Sequence, residues 1–329
     1  MNYKESSEIL KEIKKAKKIL INCHRSPDPD SVGSALAMRK VLADMDKSVE
    51  VVCPDNIPPD SKFLIFSEVV KRVDYDEFDF SSYDLFLILD SSEWSQVAGF
   101  GKDKIPDIKK IIIDHHYTND GFGIINIIDS ERSSTGEVLY KVFEDWAIDI
   151  SKEIAEDLLA GIIYDTSSLQ HPSADVRTAE AMAKLMEIGA DKNKIISNFY
   201  RNISFDKVKL IGEVLKNLDI EKEHRFVWSA LPYEALTLYP DSMGVKSMAA
   251  NFYASSIEGT DFGIIMVEEK KDFLNISLRA KEGHDISKIA EALGGGGHKQ
   301  AGAAIIRKTP FDQAVIKVLE AARKYAKKA

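Results

Sequence analysis

The chain has few cysteines, no long apolar run and no excess of basic residues, and each shortage excludes a class of protein. Two cysteines, Cys23 and Cys53, exclude a disulfide framework and a cysteine-rich zinc site, and they suit a reducing compartment. No stretch approaches the ~18 apolar residues of a membrane span, and the polar N-terminus does not resemble a signal peptide. With 44 Lys and Arg against 53 Asp and Glu, the net charge of −9 argues against a protein that coats duplex nucleic acid. We therefore expect a cytoplasmic protein with no membrane partner.

A length of 329 residues with 44% hydrophobic residues is enough for two domains, each with its own core. In the first part of the chain, short continuous apolar runs predict strands at residues 18–23, 48–53, 84–90, 110–114 and 123–128. Helical patterns cover residues 31–45, 134–146, 150–164 and 175–187. Continuous apolar runs are typical of parallel strands that helices cover on both faces. Residues 1–190 are thus predicted to form an α/β domain with a mainly parallel open sheet, whose ligands bind at the carboxyl ends of the strands.

The rest of the chain predicts a smaller and different unit. Residues 191–218 are polar and helical in pattern, with no strand signal, and are interpreted as a helical connector. Residues 219–329 are predicted to form a mixed α/β domain. Its predicted strands lie at 226–231, 261–269, 273–280 and 301–308, and its predicted helices at 242–253, 286–293 and 311–325.

The segment CHRSPDPDSVGSA contains the first group of metal-type side chains, which are His24, Asp28 and Asp30. Its two prolines are expected to keep the backbone extended and to delay the next helix until Ser31. On an extended backbone, residues two apart project to the same side, so the two aspartates can face one cation or two neighbouring ones. Gly33 would let the helix pack close to this loop. The alternative is a surface turn that caps the helix, with Asp30 or Ser31 as the N-cap.

Three further groups follow the ends of apolar segments. Asp90 closes the run LFLIL, where a carboxylate is either an active-site ligand or a turn residue. The apolar run III is followed by Asp114, His115 and His116. Because adjacent side chains point in different directions, one imidazole can bind a metal while the other faces the substrate. Asp114 can orient one of the rings. Asp165 follows the apolar helical segment GIIY, where an acid needs an ion pair or a metal.

The charges of these groups favour a metal site. If the strand ends converge, four carboxylates, those of Asp28, Asp30, Asp90 and Asp165, share one cleft and repel each other. Two divalent cations would cancel the four charges, and paired metals are an established arrangement for cleaving phosphoesters. Oxygen and imidazole ligands without thiolates suit Mn²⁺ and accept Mg²⁺ or Co²⁺.

The ordered blocks HRSPDPDSVGS, LILDSS, IIIDHH and GIIYDT, followed by GGGGHKQAGAA, resemble the DHH superfamily of phosphoesterases with its DHHA1 domain. The resemblance covers nearly all of the chain. The size and two-domain layout are most similar to the family members that degrade very short RNA (nano-RNA) and also act on 3′-phosphoadenosine 5′-phosphate (pAp). The resemblance therefore implies a DHH domain over residues 1–190 and a DHHA1 domain over residues 219–329.

The resemblance also implies a role for each site residue. One cation would be held by His24 and Asp28, a second by Asp30, His115 and Asp165, with Asp90 bridging the two. His116 would face the scissile phosphate, as a hydrogen-bond donor or general acid. Asp114 would orient one of the rings without binding a cation itself. Arg132, Ser133 and Ser134 are further candidates for the lining of the cleft.

A glycine-rich segment of the second domain is the candidate anion site. Gly295, Gly296 and Gly297 lie between a predicted helix and a predicted strand, where their backbone N–H groups can approach an anion, and His298 adds a donor. Arg279, at the end of FLNISLR, suits bidentate phosphate contact. The alternatives are a flexible glycine linker and a solvated edge arginine. By resemblance, these residues bind the terminal nucleotide or phosphate of a short substrate.

The leading hypothesis is a two-metal phosphohydrolase that shortens very short single-stranded RNA or linear dinucleotides from one end and acts on pAp. The absence of a long basic tract agrees with short substrates, because long strands need an extended electrostatic groove. Alternative enzymes are a family II-type inorganic pyrophosphatase and a cyclic-dinucleotide phosphodiesterase. The non-enzyme alternative is a nucleotide-binding regulator. The oligomeric state is left open, with a homodimer among the options.

Overall fold

The computed structural model describes residues 2–99, 101–102, 104–242, 244–297 and 299–326. The chain divides into two compact units, Met1–Asn202 and Ile203–Ala329. The elements of the first unit are α1 (Ser6–Lys15), β1 (Lys18–Asn22), α2 (Pro29–Asp44), β2 (Ser48–Cys53), β3 (Lys71–Arg72), β4 (Leu85–Leu89), α3 (Trp94–Ala98), β5 (Lys110–Asp114), β6 (Ile125–Ile128), α4 (Thr135–Asp145), α5 (Lys152–Asp165), α6 (Val176–Ile188) and α7 (Lys192–Tyr200). Those of the second unit are α8 (Phe205–Lys216), β7 (Asp219–Glu221), β8 (Phe226–Leu231), α9 (Tyr233–Thr237), α10 (Val245–Tyr253), β9 (Phe262–Lys270), β10 (Phe273–Ala280), α11 (Ser287–Ala292), β11 (Gly296–Gly297), β12 (Ala301–Arg307) and α12 (Phe311–Tyr325).

The first unit is built on a six-stranded sheet in the order β3-β2-β1-β4-β5-β6. All of its neighbouring strands are parallel. The predicted α/β class with a mainly parallel open sheet is therefore confirmed. The two-residue strand β3 is too short to give a sequence signal.

The two faces of this sheet are covered differently. Alternate strand residues, such as Ile19 and Ile21 of β1, enter a core with α1, α2, α4 and α5. The residues between them, such as Leu20, enter a second core with Tyr75, Trp94 and other aromatic residues. Helices therefore cover both faces but unequally: on the second face the short helix α3 packs together with an aromatic-rich segment.

Helix α2 begins two residues earlier than predicted. Asp28 is its N-cap and accepts hydrogen bonds from the backbone N–H groups of Asp30 and Ser31. Pro29 takes the first helical position, where its fixed φ fits and its missing N–H costs nothing. The predicted extended backbone around Asp30 is therefore wrong, and so is the choice of Asp30 or Ser31 as the cap.

Gly33 lies in the first turns of α2, and its close contact is with α5. A Cβ at Gly33 would stand 2.4 Å from the Asp157 carbonyl oxygen of α5. The glycine thus allows α2 and α5 to pack backbone to backbone.

The second unit contains a mixed sheet in the order β11-β12-β10-β9-β8-β7. Strands β8 and β9 are parallel, and the other neighbours are antiparallel. One face packs against α11 and α12, and the other against α8 and α10. The predicted mixed sheet is confirmed.

The predicted connector, residues 191–218, divides between the units. Its first helix, α7, packs on the core of the first unit through Ile195, whereas Leu210 and Val214 of α8 enter a core of the second unit. The domain boundaries remain predictions. Within the part of the chain that the structure describes, no helix is both long enough and apolar enough to cross a membrane.

Candidate metal centre

The candidate metal centre lies at the carboxyl edge of the first sheet, where the strand order reverses. Strands β1 and β4 are neighbours, but the chain continues from β1 to β2 on one side and from β4 to β5 on the other. Such a reversal opens a crevice at the carboxyl ends of the strands. His24 follows β1, Asp90 follows β4, and Asp114 is the last residue of β5. The topology therefore brings three of the predicted groups to one place.

His24 faces two carboxylates. Its Nε2 lies 3.6 Å from Asp28 Oδ2 and 3.3 Å from Asp90 Oδ2. Its Nδ1 donates to the Arg25 carbonyl at 2.8 Å, which directs Nε2 toward the carboxylates. Asp28 uses Oδ1 to cap α2 and presents Oδ2 to His24, so the capping interpretation and the ligand interpretation of this residue are compatible.

Asp90 occupies the middle of the cluster. Its φ of +53° places the residue in the left-handed region, which aspartate tolerates better than most residues and which turns the chain sharply after β4. The side chain is buried, and Oδ1 accepts a hydrogen bond from Thr135 Oγ1 at 2.9 Å. Oδ1 also lies 3.7 Å from His115 Nε2 and 3.8 Å from His116 Nδ1.

Asp30 is completely buried, and the start of α4 supports it. Its two oxygens accept the backbone N–H groups of Thr135 and Gly136 at 2.8 and 2.9 Å. A Cβ at Gly161 of α5 would stand 2.2 Å from Asp30 Oδ1. Only glycine leaves room there for the carboxylate.

Asp114 orients the histidine pair. Its Oδ1 accepts hydrogen bonds from the His115 backbone N–H and from His116 Nδ1, both at 2.8 Å. Its Oδ2 accepts one from Asn119 Nδ2 at 2.7 Å. The bond at Nδ1 leaves His116 Nε2 as the ring atom for an external partner.

His115 presents Nε2 to the acidic cluster. This nitrogen lies 3.2 Å from Asp165 Oδ2, while Nδ1 lies 3.4 Å from the Arg132 carbonyl. His115 Nε2 is buried, and no described group forms a hydrogen bond with it. A buried ring nitrogen without a hydrogen bond, surrounded by carboxylate oxygens, has the surroundings of a metal ligand.

Three overlapping groups of ligand atoms result, and within each group the atoms lie within 4.8 Å of one another. The groups are His24, Asp28 and Asp90; Asp30, His115 and Asp165; and Asp90, His115 and His116. The six predicted metal ligands thus lie together. Their oxygen and nitrogen donors fit a divalent cation of the Mn²⁺ or Mg²⁺ type, and Asp90 belongs to two of the three groups.

The pKa shifts in the cluster express its excess of negative charge. Burial lowers the pKa of His115, but Asp165, Asp90 and Asp30 raise it by more, to about 10. Burial also lowers the pKa of His24, and Asp28 and Asp90 raise it well above its usual range.

The pKa values of the buried carboxyl groups shift in opposite directions. Burial, followed by the charges of Asp90 and Asp165, raises the pKa of Asp30 well above its usual range. Burial raises the pKa of Asp90, but His24 and the other histidines lower it by more, so its net shift is downward. Burial likewise raises the pKa of Asp165, and His115 offsets part of that rise. The cluster therefore attracts positive charge, either protons or cations.

In the second unit, the strand pairing brings Arg279 and the glycines to the same end of the sheet. Arg279 of β10 pairs with Ala301 of β12, and Gly297 of β11 pairs with Gly302, the next residue of β12. Gly297 has φ +145°, and a Cβ there would stand 2.4 Å from the Ala301 carbonyl oxygen, so the position requires glycine. Gly295 and Gly296 precede it. His298 lies outside the described residues.

Two family models match the chain. The model for the N-terminal domain of the DHH family matches residues 18–162, and that for the DHHA1 domain matches residues 241–328. The chain thus contains a DHH-family N-terminal domain and a DHHA1 domain. The predicted class of protein, a hydrolytic enzyme, is confirmed.

Similar proteins agree with this assignment. The chain is 27% identical to a bifunctional oligoribonuclease and PAP phosphatase of Thermus thermophilus, over 98% of this chain and 94% of that protein. It is 24% identical to a cyclic-di-AMP phosphodiesterase of Listeria monocytogenes, over 98% of this chain and 50% of that protein. A crystal structure of an exopolyphosphatase-related protein from Bacteroides fragilis is 28% identical, with a TM-score of 0.90 over 98% of this chain and 96% of that one.

Three residues that support the candidate metal centre were not predicted from the sequence. Thr135 donates hydrogen bonds to Asp90 and Asp30, and Gly136 donates one to Asp30. Both residues lie in the segment SSTGE, of which only the serines were predicted to line the cleft. Asn119, five residues after Asp114, holds its second oxygen. A polar residue at a fixed distance from the DHH triplet is the signal that could have found it.

The side chains of Arg132, Ser133 and Ser134 do not contact the cluster. Arg132 and Ser133 bind the buried carboxylate of Glu137, at 3.0 and 2.8 Å. Ser134 is the N-cap of α4 and accepts the Glu137 N–H. These three residues fix the start of α4, which in turn holds Asp30.

Proposed function

We propose that this chain is a two-metal phosphohydrolase that degrades short oligoribonucleotides and linear dinucleotides to mononucleotides and removes a phosphate from pAp. One observation carries the proposal: seven metal-type side chains, the six predicted ligands and His116, form three overlapping groups of possible ligands. Such a cluster of carboxylates and imidazoles in a sheet crevice suits an anionic phosphoester substrate once cations are present.

The distances between ligand atoms support two proposed sites. His24, Asp28 and Asp90 would hold one cation, and Asp30, His115 and Asp165 would hold the other. Asp90 is the proposed shared ligand because its Oδ1 lies 3.7 Å from His115 Nε2. When bound, such cations neutralise phosphoryl oxygens and lower the pKa of water. Mn²⁺ is the proposed ion because the ligand set combines imidazole and carboxylate without thiolate.

His116 is proposed to act directly on the phosphoester. Asp114 accepts its Nδ1–H at 2.8 Å and so fixes the ring and its tautomer. Nε2 can then donate to a phosphoryl oxygen or give a proton to the leaving oxygen. Asp114 is itself held by Asn119, which makes it a positioning residue in this proposal.

The second unit is proposed to bind the terminal phosphate or nucleotide. The guanidinium of Arg279 supplies positive charge on a chain with a net charge of −9. Gly295, Gly296, Gly297 and His298 would add backbone and imidazole donors. The net negative charge and the lack of a long basic tract favour short substrates over long strands and duplexes.

The Thermus relative, named an oligoribonuclease and PAP phosphatase, supports this choice of substrates. The buried free thiols of Cys23 and Cys53 agree with a cytoplasmic enzyme. For the oligomeric state, a homodimer is proposed alongside a monomer.

A substrate panel tests the proposal. Purified protein with Mn²⁺ is offered a dinucleotide, a long single-stranded RNA, pAp, a cyclic dinucleotide, pyrophosphate and polyphosphate, and products are separated by chromatography. We expect fast hydrolysis of the dinucleotide and of pAp, slow hydrolysis of the long strand, and loss of all activity with a chelator. Preference for the long strand, or hydrolysis of pyrophosphate or polyphosphate alone, would contradict the proposal.

A further inference from the structure

Four aromatic side chains form a group beside the metal centre of the first unit, which we call the aromatic platform: Phe63, Tyr164, Phe199 and Tyr200. The two phenylalanines are half-buried and pack against the core. The two tyrosines, in contrast, are 38% and 44% exposed. The platform thus presents two supported aromatic rings to solvent.

Ring contacts hold the platform together. Phe199 packs edge-on against Phe63 at 5.5 Å between ring centroids and against Tyr164 at 5.7 Å. It also packs against Tyr200 at 6.2 Å with an interplanar angle of 88°. Both tyrosines therefore rest on a ring that the core fixes, which limits the entropy that they would lose on binding a partner.

The platform adjoins the metal centre through the end of α5. Tyr164 directly precedes Asp165, whose Oδ2 lies 3.2 Å from His115 Nε2. Ser168, three residues after Asp165, donates a hydrogen bond from Oγ to the Tyr200 hydroxyl at 3.4 Å. We therefore expect a substrate whose phosphate lies at the metal centre to place the adjoining nucleoside near the Tyr164 and Tyr200 rings.

The chemistry of the platform favours a flat aromatic partner. Its two exposed side chains are tyrosine rings, and Lys194, whose Nζ lies 5.7 Å from the Phe63 ring centroid, is paired with Glu156. A heterocyclic base offers a π face that can stack on such rings.

We propose that Tyr164 and Tyr200 form a stacking site for a nucleobase of the substrate whose phosphate lies at the metal centre. This inference rests on the proposed function, and it adds the recognition of the base by the first unit. Tyr200 is the residue to test, because it ends α7 and is far in sequence from the proposed metal ligands.

Binding is measured with 2-aminopurine riboside 5′-monophosphate, whose fluorescence falls when its base stacks, in the presence of Mg²⁺. We expect quenching by the wild type and by Tyr200→Phe, and little quenching by Tyr200→Ala. Tyr200→Leu, which keeps an apolar side chain on α7 without a ring, should also quench little. Tyr325→Ala is the matched control, since Tyr325 is 40% exposed in the second unit and should leave quenching unchanged.

Kinetics give the second readout. Loss of one base–aromatic stack predicts a rise in KM for a dinucleotide of about 5- to 150-fold in Tyr200→Ala. A dinucleotide with one abasic ribose should lose this difference. Equal quenching by all variants would overturn the stacking site, even if the wild type cleaves dinucleotides. If quenching depends on Tyr200 but the wild type cleaves no dinucleotide, the stacking site stands and the proposed function fails.

Discussion

The carboxyl edge of the first sheet and the glycine-rich end of the second sheet both carry residues that we propose to meet the substrate, but the two regions are built differently. In the first, Asp30, Asp90 and Asp114 are buried and accept hydrogen bonds from neighbouring side chains and backbone. In the second, Gly296 and Gly297 are exposed, and Arg279 is half-exposed and donates a hydrogen bond to the side chain of Asn251 at 3.2 Å.

This difference indicates a division of labour. A buried cluster of carboxylates that is held from several sides can keep cations in fixed positions for chemistry. A half-exposed cation beside exposed glycines can bind an anion but offers less to a reaction that needs fixed geometry. We therefore expect changes in the first region to act on kcat and changes in the second to act on KM.

Asp90→Asn is expected to have the largest effect. The amide can still accept the hydrogen bond of Thr135, but it removes the charge at the centre of the cluster. We expect kcat for a dinucleotide to fall on the order of 10³-fold or more, because the residue proposed to touch both cations is lost. Steady-state kinetics over a range of Mn²⁺ concentrations measure this.

Asp149→Asn, a change at an exposed residue of the same unit, is the control and should retain activity. Hydrogen exchange gives a second readout: Mn²⁺ should slow exchange at the carboxyl edge of the first sheet in the wild type and not in Asp90→Asn. Full activity in Asp90→Asn would disprove the assignment of Asp90 as the shared ligand.

Arg279→Gln is expected to have a smaller effect of a different kind. Loss of a charge-assisted hydrogen bond to phosphate should raise KM about 10- to 100-fold, with kcat nearly unchanged. Arg307→Gln is the control, since Arg307 pairs with Phe273 at the other end of the same two strands. A fall in kcat as large as that of Asp90→Asn would break the proposed division between the regions.

The sequence predicts the position of a site residue when that position depends on neighbouring residues, and fails when it depends on contacts with distant segments. Asp90 and Asp114 end apolar runs, so their place at the edge of the sheet follows from the strand pattern alone. Asp30 does not follow in this way, because its burial depends on Gly161 and Gly136, which approach it from distant helices. Gly136 and Gly161 lie 106 and 131 residues after Asp30 in the sequence, so no local pattern around Asp30 encodes these contacts.

The second region shows the same limit. The glycines attract attention as possible anion ligands, but β11 is two residues long and exists because Gly297 can approach Ala301. Pairing of this kind leaves no periodic signal in the sequence. Motifs therefore indicate the chemistry that we propose for both regions, whereas packing between distant segments sets their geometry.

Asp157→Asn tests how much a buried negative charge destabilises the fold at a position where no cation is proposed. Asp157 is 4% exposed in α5, outside the cluster, and burial raises its pKa well above its usual range, with Glu156 adding to the rise and Lys194 opposing it. Its pKa is higher in the folded state than in the unfolded state, so the ionised group destabilises the fold as pH rises above the unfolded value of about 4.

We therefore expect the Asn variant to unfold at a higher temperature than the wild type at pH 7. The difference should shrink as pH falls and vanish below about pH 4, where the carboxyl group is protonated in both states. Calorimetry across this range measures it. Asp219→Asn, a change at an exposed residue of the second unit, should show no such trend. An equal or lower unfolding temperature for Asp157→Asn at pH 7 would show that the carboxylate is stabilised by its surroundings.

The smallest effect concerns the strained turn that follows Asp165. Ser167, Ser168 and Leu169 have φ values of +46°, +60° and +69°, three left-handed residues in a row without a glycine. A left-handed leucine costs about 1–2 kcal/mol, and glycine relieves that cost while losing about 0.5–1 kcal/mol through the entropy of the unfolded chain. Leu169→Gly should therefore stabilise the protein by about 0.5–1 kcal/mol, measured by urea unfolding.

Leu238→Gly is the matched control in the second unit. Leu238 is also exposed, at 71%, but its φ of −75° is ordinary, so glycine should only destabilise there. If both variants lose stability, the turn after Asp165 holds no strain that glycine can relieve. If only Leu169→Gly gains stability, the first unit keeps a strained backbone beside Asp165 that the surrounding contacts enforce, as is common where a fold must aim a side chain at a site.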